Sequence, residues 1–255
     1  MDNRIEQKFK QLKEDGKKGL ITFLTAGDPD LQTSYEIVEE MIVNGIDLLE
    51  IGIPFSDPLA EGPTIEKASY RGLESGTTTD DVFQLVRRIR EKHDLPIMLM
   101  LYVNLIYKYG IERFMNVSKG AGIDGLIIPD ISFEEAGEFK KAAEENNLIL
   151  INLVAPPTKE GRLEKITGGS QGFIYCVSSL GVTGTRQNIT TDLHEFYKRL
   201  RRYSDLPLAL GFGISSRKQI EELEGDWDAF IVGSAIVNLI AEHGKNAPLQ
   251  VGRFI

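Results

Sequence analysis

Residues 47–52 read DLLEIG, an apolar run interrupted by one carboxylate, Glu50. A carboxylate taken into an apolar interior is costly unless it is hydrogen-bonded or put to use. No lysine or arginine stands close by in sequence to pair with it, which favours a functional group over a paired structural one. Held in a semi-apolar cavity, such a group has its pKa raised toward working pH, as general acid-base chemistry requires. The loop that follows, SDPLAEG, adds Asp57 and Glu61. Most loop carboxylates are simply solvated, so residue type alone places both facing solvent. Asp130 closes GLIIPD just ahead of a polar stretch and reads as the N-terminal turn residue of a helix.

Three glycine-bearing segments come late in the chain: GVTGT (181–185), GFGIS (211–215) and VGSAI (232–236). Each puts small residues where backbone N–H groups can converge, and the last two lead toward helices. One such segment is weak, because glycine at a strand-helix turn is often only geometry. Three in succession favour a phosphate pocket. Phe23, Tyr102 and Tyr175 fall in apolar runs where core filling is the usual fate, and facing a cavity they would form a flat slot for an aromatic substrate. His93, His194 and His243 lack ligand spacing and read as surface residues, so no metal is expected.

These residues need elements to position them. Eight apolar runs recur along the chain, each followed by a helix-periodic stretch: LITFLT (20–25), DLLEIG (47–52), IMLMLY (97–102), GLIIPD (125–130), LILINLV (148–154), GFIYCV (172–177), LALGFG (208–213) and AFIVG (229–233). Little polar alternation within them predicts strands buried on both faces of a parallel sheet. Pro29-Asp30 opens a helix that Gly45 stops; Ser132 with Glu135, Ser215, and Thr79-Asp80 are read as the starts of others. Residues 3–13 predict a leading helix that covers one end of a barrel. Eight βα units, about one per 32 residues, match the size of a (β/α)8 TIM barrel, an α/β fold, and favour a single domain over 1–255. A doubly wound open sheet fits less well, since no G-x-G-x-x-G follows the first run. The interval after the second run, with three prolines, reads as a long functional loop leading to an extra helix. The last segment, NAPLQVGRFI, fits either a closing helix or a frayed end.

Composition sets outer limits. Of 255 residues 42% are apolar and 26% charged, enough for a sizeable core. The balance of 29 basic against 38 acidic residues, net -9, argues against nucleic acid but not against a phosphorylated metabolite held by backbone N–H groups. Cys176, the only cysteine, allows no intramolecular disulfide and suits a reducing cytoplasm. No apolar stretch reaches the ~18 residues of a membrane span.

Taken together, FLTAGDPD, EIGIPFSDPLAEGPTI, LYVNLIYKYGIERF, GLIIPDIS, SSLGVTGT, GFGISS and VGSAIV resemble the tryptophan synthase α subunit family, in order from Leu20 to Val237. The resemblance implies a (β/α)8 barrel that cleaves indole-3-glycerol phosphate to indole and glyceraldehyde 3-phosphate by retro-aldol chemistry, in tryptophan biosynthesis. It places the catalytic glutamate at Glu50. An aspartate that binds the indole N–H in the family falls on Glu61 here. The change adds a methylene and moves the carboxylate by ~1.5 Å, which predicts that Glu61→Asp raises indole formation. The resemblance also puts Thr183 on a loop that closes toward Asp130, the phosphate on Gly184, Gly213, Gly233 and Ser234, and the indole among Phe23, Tyr102 and Tyr175. Asp57 would touch the partner, a pyridoxal-phosphate-dependent β subunit in an αββα complex; this chain itself would need no cofactor. The alternative is an α-type subunit, weakened by Glu61, that mainly activates the β subunit. A further relative acting on another phosphorylated aromatic, or releasing indole without a partner, is also compatible with the barrel and phosphate motifs.

Overall fold

The computed structural model describes residues 3–177, 189–211, 213, 214, 216–223 and 225–255. In chain order the elements are α1 (Arg4–Glu14), β1 (Gly19–Thr25), α2 (Leu31–Val43), β2 (Leu48–Gly52), α3 (Pro63–Glu74), α4 (Thr79–Arg90) and β3 (Ile97–Met100). Next come α5 (Val103–Tyr109), α6 (Ile111–Ala121), β4 (Gly125–Ile127), α7 (Gly137–Glu145), β5 (Ile149–Val154) and α8 (Glu160–Gly168). The chain continues through β6 (Ile174–Val177), α9 (Ile189–Arg201), β7 (Leu208–Gly211), α10 (Arg217–Glu221), β8 (Ala229–Val232), α11 (Ser234–His243) and α12 (Ala247–Phe254). The eight strands pair in sequence order, all parallel, and β8 pairs with β1 to close a barrel. Each of the eight apolar runs marks one strand, β1 starting one residue ahead of its run, and α3 is the extra helix expected after the second.

Side chains alternate along a strand, so each one supplies a barrel interior and a helix-facing layer. Ile21, Leu48, Met98, Ile127, Ile149 and Phe173 point inward with Ala209, Ala229 and Ile231. Leu24, Ile51, Leu99, Leu126 and Leu210 join the layer beneath the helices. Helix α1 closes the floor. Its Ile5, Phe9 and Leu12, spaced to share one helix face, are buried against the inner cluster. The floor is then tied by one aspartate. Asp124 accepts from Arg4 Nη1 at 2.9 Å, Arg90 Nη2 at 2.6 Å and Ile97 N at 2.9 Å, joining α1, α4 and β3.

Several starts differ from the sequence reading. Thr78, one residue before the expected pair, caps α4 in a reciprocal box with Asp81. Ser132 does bond Glu135 at 2.6 Å, but turns at 133–136 intervene and the helix begins at Gly137. Ser215 lies outside the described residues, and Ser216 caps the short α10. Asp30 caps α2 through Thr33 N at 2.8 Å. The terminal segment is a helix: α12 packs on α2 and α11 and buries Ala247 and Val251. None of the three histidines is fully exposed, and His93 bonds Glu39 at 2.9 Å. Among the described residues no helix is long and apolar enough to cross a membrane.

Candidate active site

The barrel register sets Glu50 between Phe23 of β1 and Met98 of β3, with its side chain inward. Above it, at the C-terminal ends of the strands, lies a cavity of about 400 Å³. Its walls include Phe23, Glu50, Glu61, Met100, Leu153, Tyr175, Ile231, Gly213, Gly233 and Ser234. Glu50 is 1% exposed, and neither carboxylate oxygen has a hydrogen-bond partner among the described residues. Burial, with the charge of Glu61 adding to it, pushes its carboxyl up to about 8. A neutral acid therefore faces an apolar-walled cavity, the state from which a proton can be given and then taken back.

Glu61 does not face solvent as its residue type suggested. Gly62 and Pro63 start α3 and bring the preceding loop over the barrel mouth, leaving Glu61 half-buried on the cavity wall. Its carboxylate accepts the hydroxyl of Tyr102. Burial raises the Glu61 carboxyl; the Tyr102 donor opposes that shift and the charge of Asp130 adds to it. Asp57, four residues earlier, is exposed, accepts from Ser56 Oγ at 2.5 Å, and is absent from the cavity lining.

The aromatic trio divides. Phe23 and Tyr175 line the cavity, but Tyr102 does not. The third strand ends at Met100, so Tyr102 sits beyond it as the N-terminal boundary residue of α5, behind Glu61. Glycines make room for the other two rings. A Cβ at Gly52 would lie 2.8 Å from Phe23 Cζ, and one at Gly211 would lie 2.7 Å from Tyr175 Cε1. The Tyr175 hydroxyl is held far above its ordinary titration range by burial and then by the charges of Glu50 and Glu61. Asp130 is indeed a helix N-terminal acceptor, but for α5: it takes Val103 N at 3.0 and 3.2 Å.

Gly233 and Ser234 form the start of α11 and line the cavity, and the first N–H groups of a helix have no partner within it. Gly213, with φ of +74°, lies on the same wall. Thr183 and Gly184 lie outside the described residues. The apolar walls Ile65, Met100, Leu153 and Ile231 escaped the residue-type search because they look like any core residues. Ser69 escaped it too: its Oγ accepts Phe55 N at 2.8 Å and fixes the start of the loop. No lysine is among the described residues lining the cavity, and no described cluster of three or more His, Cys, Asp or Glu could hold a metal.

Residues 9–254 match the family model for the tryptophan synthase alpha chain. The tryptophan synthase alpha chain of Caldanaerobacter subterraneus subsp. tengcongensis is 51% identical over 240 residues, covering 94% of this chain and 91% of the relative. That of Thermoanaerobacter sp. is 48% identical over 249 residues, covering 97% and 95%. The crystal structure of the tryptophan synthase alpha chain from Legionella pneumophila superposes with a TM-score of 0.89 at 34% identity, covering all of this chain and 95% of that one. A structure of the Pyrococcus furiosus tryptophan synthase α2β2 complex gives 0.86 at 36% identity, covering 92% and 95%. The barrel, the buried Glu50 and this match over nearly the whole length agree: the chain belongs to the tryptophan synthase alpha chain family.

Proposed function

We propose that the chain cleaves indole-3-glycerol phosphate into indole and glyceraldehyde 3-phosphate as the α subunit of a tryptophan synthase. The observation that carries this reading is Glu50, a fully buried carboxyl with no hydrogen-bond partner among the described residues, opening on a cavity whose far rim is a helix N-terminus. An indole ring fits between the Phe23 and Tyr175 walls. The phosphate binds the N–H groups at Gly233 and Ser234, with Gly213 alongside and Gly184 completing the contact. Thr183 closes over the substrate toward Asp130 and excludes water.

The proton inventory balances on one residue. Neutral Glu50 gives its proton to indole C3, and the ring nitrogen becomes an N–H cation that the Glu61 carboxylate stabilises. Glu50, now ionised, removes the proton of the side-chain hydroxyl. The bond between C3 and the glycerol carbon breaks, its electron pair returns to the ring, and the hydroxyl carbon becomes the aldehyde. Indole and glyceraldehyde 3-phosphate leave, and Glu50 is again neutral. Each proton transfer by a placed side chain is worth on the order of 10²–10⁴ in rate.

The partner in this reading is a pyridoxal-phosphate-dependent β subunit in an αββα arrangement; the Pyrococcus relative is described as an α2β2 complex. Asp57 and Leu59, the latter 85% exposed on the same loop, supply a surface for it. One domain over 1–255, working in the cytoplasm, completes the proposal. The test is indole release from indole-3-glycerol phosphate, with and without a β subunit, by the parent chain and Glu50→Gln. Release by the parent and its loss in Glu50→Gln are expected. Equal rates would remove Glu50 from the chemistry, and no release by the parent under either condition would favour a purely activating subunit.

A further inference from the structure

Tyr102 is conspicuous for what it touches instead of the cavity. Its hydroxyl donates to the Glu61 carboxylate and accepts Ala60 N at 2.9 Å. Its ring stacks on Phe55, centroids 5.1 Å apart and planes at 21°. Phe55 N is held in turn by Ser69 Oγ on α3. Three points of one loop, at 55, 60 and 61, are thus gripped from the end of a barrel strand. A glutamate left to itself has three rotatable bonds over which to spread its carboxylate, and fixing them costs entropy that a bound partner offsets.

We infer that Tyr102 is the positioning residue for Glu61, holding the longer side chain so that its carboxylate meets the ring N–H of the substrate. This rests on the reading of Glu61 as the acceptor for that N–H. It reverses the expectation drawn from side-chain length alone. With Tyr102 fixed in place, the glutamate is the residue that reaches both partners, and an aspartate would draw back from the hydroxyl by ~1.5 Å. The titratable groups facing Glu61 are Tyr102 from beyond β3, Glu50 from β2, Asp130 from beyond β4 and Tyr175 from β6. Only Tyr102 among these side chains favours the ionised form of Glu61. Removing its hydroxyl therefore raises the pH at which Glu61 takes up a proton and stops accepting from N–H.

The experiment compares kcat, KM and pH-rate profiles for indole release by the full chain with its β subunit. The variants are Tyr102→Phe, Glu61→Asp, their double mutant, Glu61→Gln and Phe55→Leu. Tyr102→Phe is expected to lower kcat on the order of tenfold to a hundredfold, with KM nearly unchanged. The acid limb of its profile should move to higher pH, which a merely structural role would not cause. Glu61→Asp should also lower kcat, and the double mutant should be less impaired than the product of the two single losses. Phe55→Leu keeps the hydroxyl but loses the stack, and a smaller fall in kcat is expected; it carries the test if Tyr102→Phe does not fold. Parent kcat and an unmoved acid limb in Tyr102→Phe, or a gain in turnover by Glu61→Asp, would overturn the inference. Glu61→Gln at the parent rate would overturn it too, and would also remove the role of Glu61 beneath it. If Glu61→Gln is impaired while Tyr102→Phe is not, only the positioning role fails.

Discussion

Three carboxylates are buried among the described residues: Asp28, in a forked pair with Arg71, and Asp124 and Glu50, which have opposite surroundings. The Asp124 side chain, 4% exposed at the floor, meets two guanidinium groups and a backbone N–H. Glu50, 1% exposed toward the mouth, meets none among the described residues. Both leave water, and burial raises both carboxyls, but at Asp124 the charge of Arg90, the Ile97 N–H and Arg4 offset part of that cost. The floor carries a completed ion cluster under a helix plug, and the mouth keeps a group whose partner has to arrive from outside. The contrast follows the division of labour in such barrels, where one end serves stability and the other chemistry.

The contrast can be broken at either end. At the mouth, Glu50→Gln is expected to lower the indole-release rate on the order of 10²–10⁴, while thermal unfolding occurs at the parent temperature or above it, since an unpartnered acid is being removed. A clear loss of stability in this variant would mean that Glu50 has a structural partner after all. At the floor the outcome should invert. Arg90→Met leaves Asp124 buried with less compensation and is expected to cost about 3–5 kcal/mol in denaturant unfolding, with turnover per folded molecule retained.

The two ends also separate by pH. Glu50 titrates near 4.5 when unfolded and about 8 when folded, so between those values the native chain holds one proton more than the unfolded chain. Stability then falls as pH rises through that window and levels off above it. The loss is on the order of a few kcal/mol, at about 1.4 kcal/mol per pKa unit. Urea unfolding at pH 5 and pH 8 should show this decline in the parent and a smaller one in Glu50→Gln; equal declines would remove Glu50 as its source. The smallest effect comes from a site outside both regions. Thr78→Ala removes the cap of α4 and is expected to cost ~1 kcal/mol with no change in rate, measured by the same two assays.

The barrel was legible because eight apolar runs, each marking one strand, recur at an average of about 32 residues, and Glu50 was legible because it interrupts one of them. Helix α1 was recognisable as a cover from the apolar face made by Ile5, Phe9 and Leu12. Glu61 was not legible from its residue type. Whether a loop carboxylate faces water or a cavity depends on how the loop is folded back, and here Gly62, Pro63 and the distant Tyr102 decide that. Tyr102 was misplaced for a related reason: its run of apolar residues continues past the point where strand pairing ends at Met100. Cap positions slipped by one residue where neighbouring Thr or Ser residues offer equivalent oxygens, as at Thr78 and Ser216. The open space beside Phe23 and Tyr175 comes from Gly52 and Gly211, whose significance lies in ring contacts across strands that linear spacing does not reveal.

Glu50 waits as a neutral acid because none of the described residues pairs with it. Titration of its carboxyl by ¹³C NMR in substrate-free chain labelled at glutamate, assigned by difference from Glu50→Gln, measures that state directly. A midpoint of about 8 is predicted. A midpoint near the ordinary 4.5 would contradict the claim, because it would show an ionised Glu50 with a stabilising partner already in place.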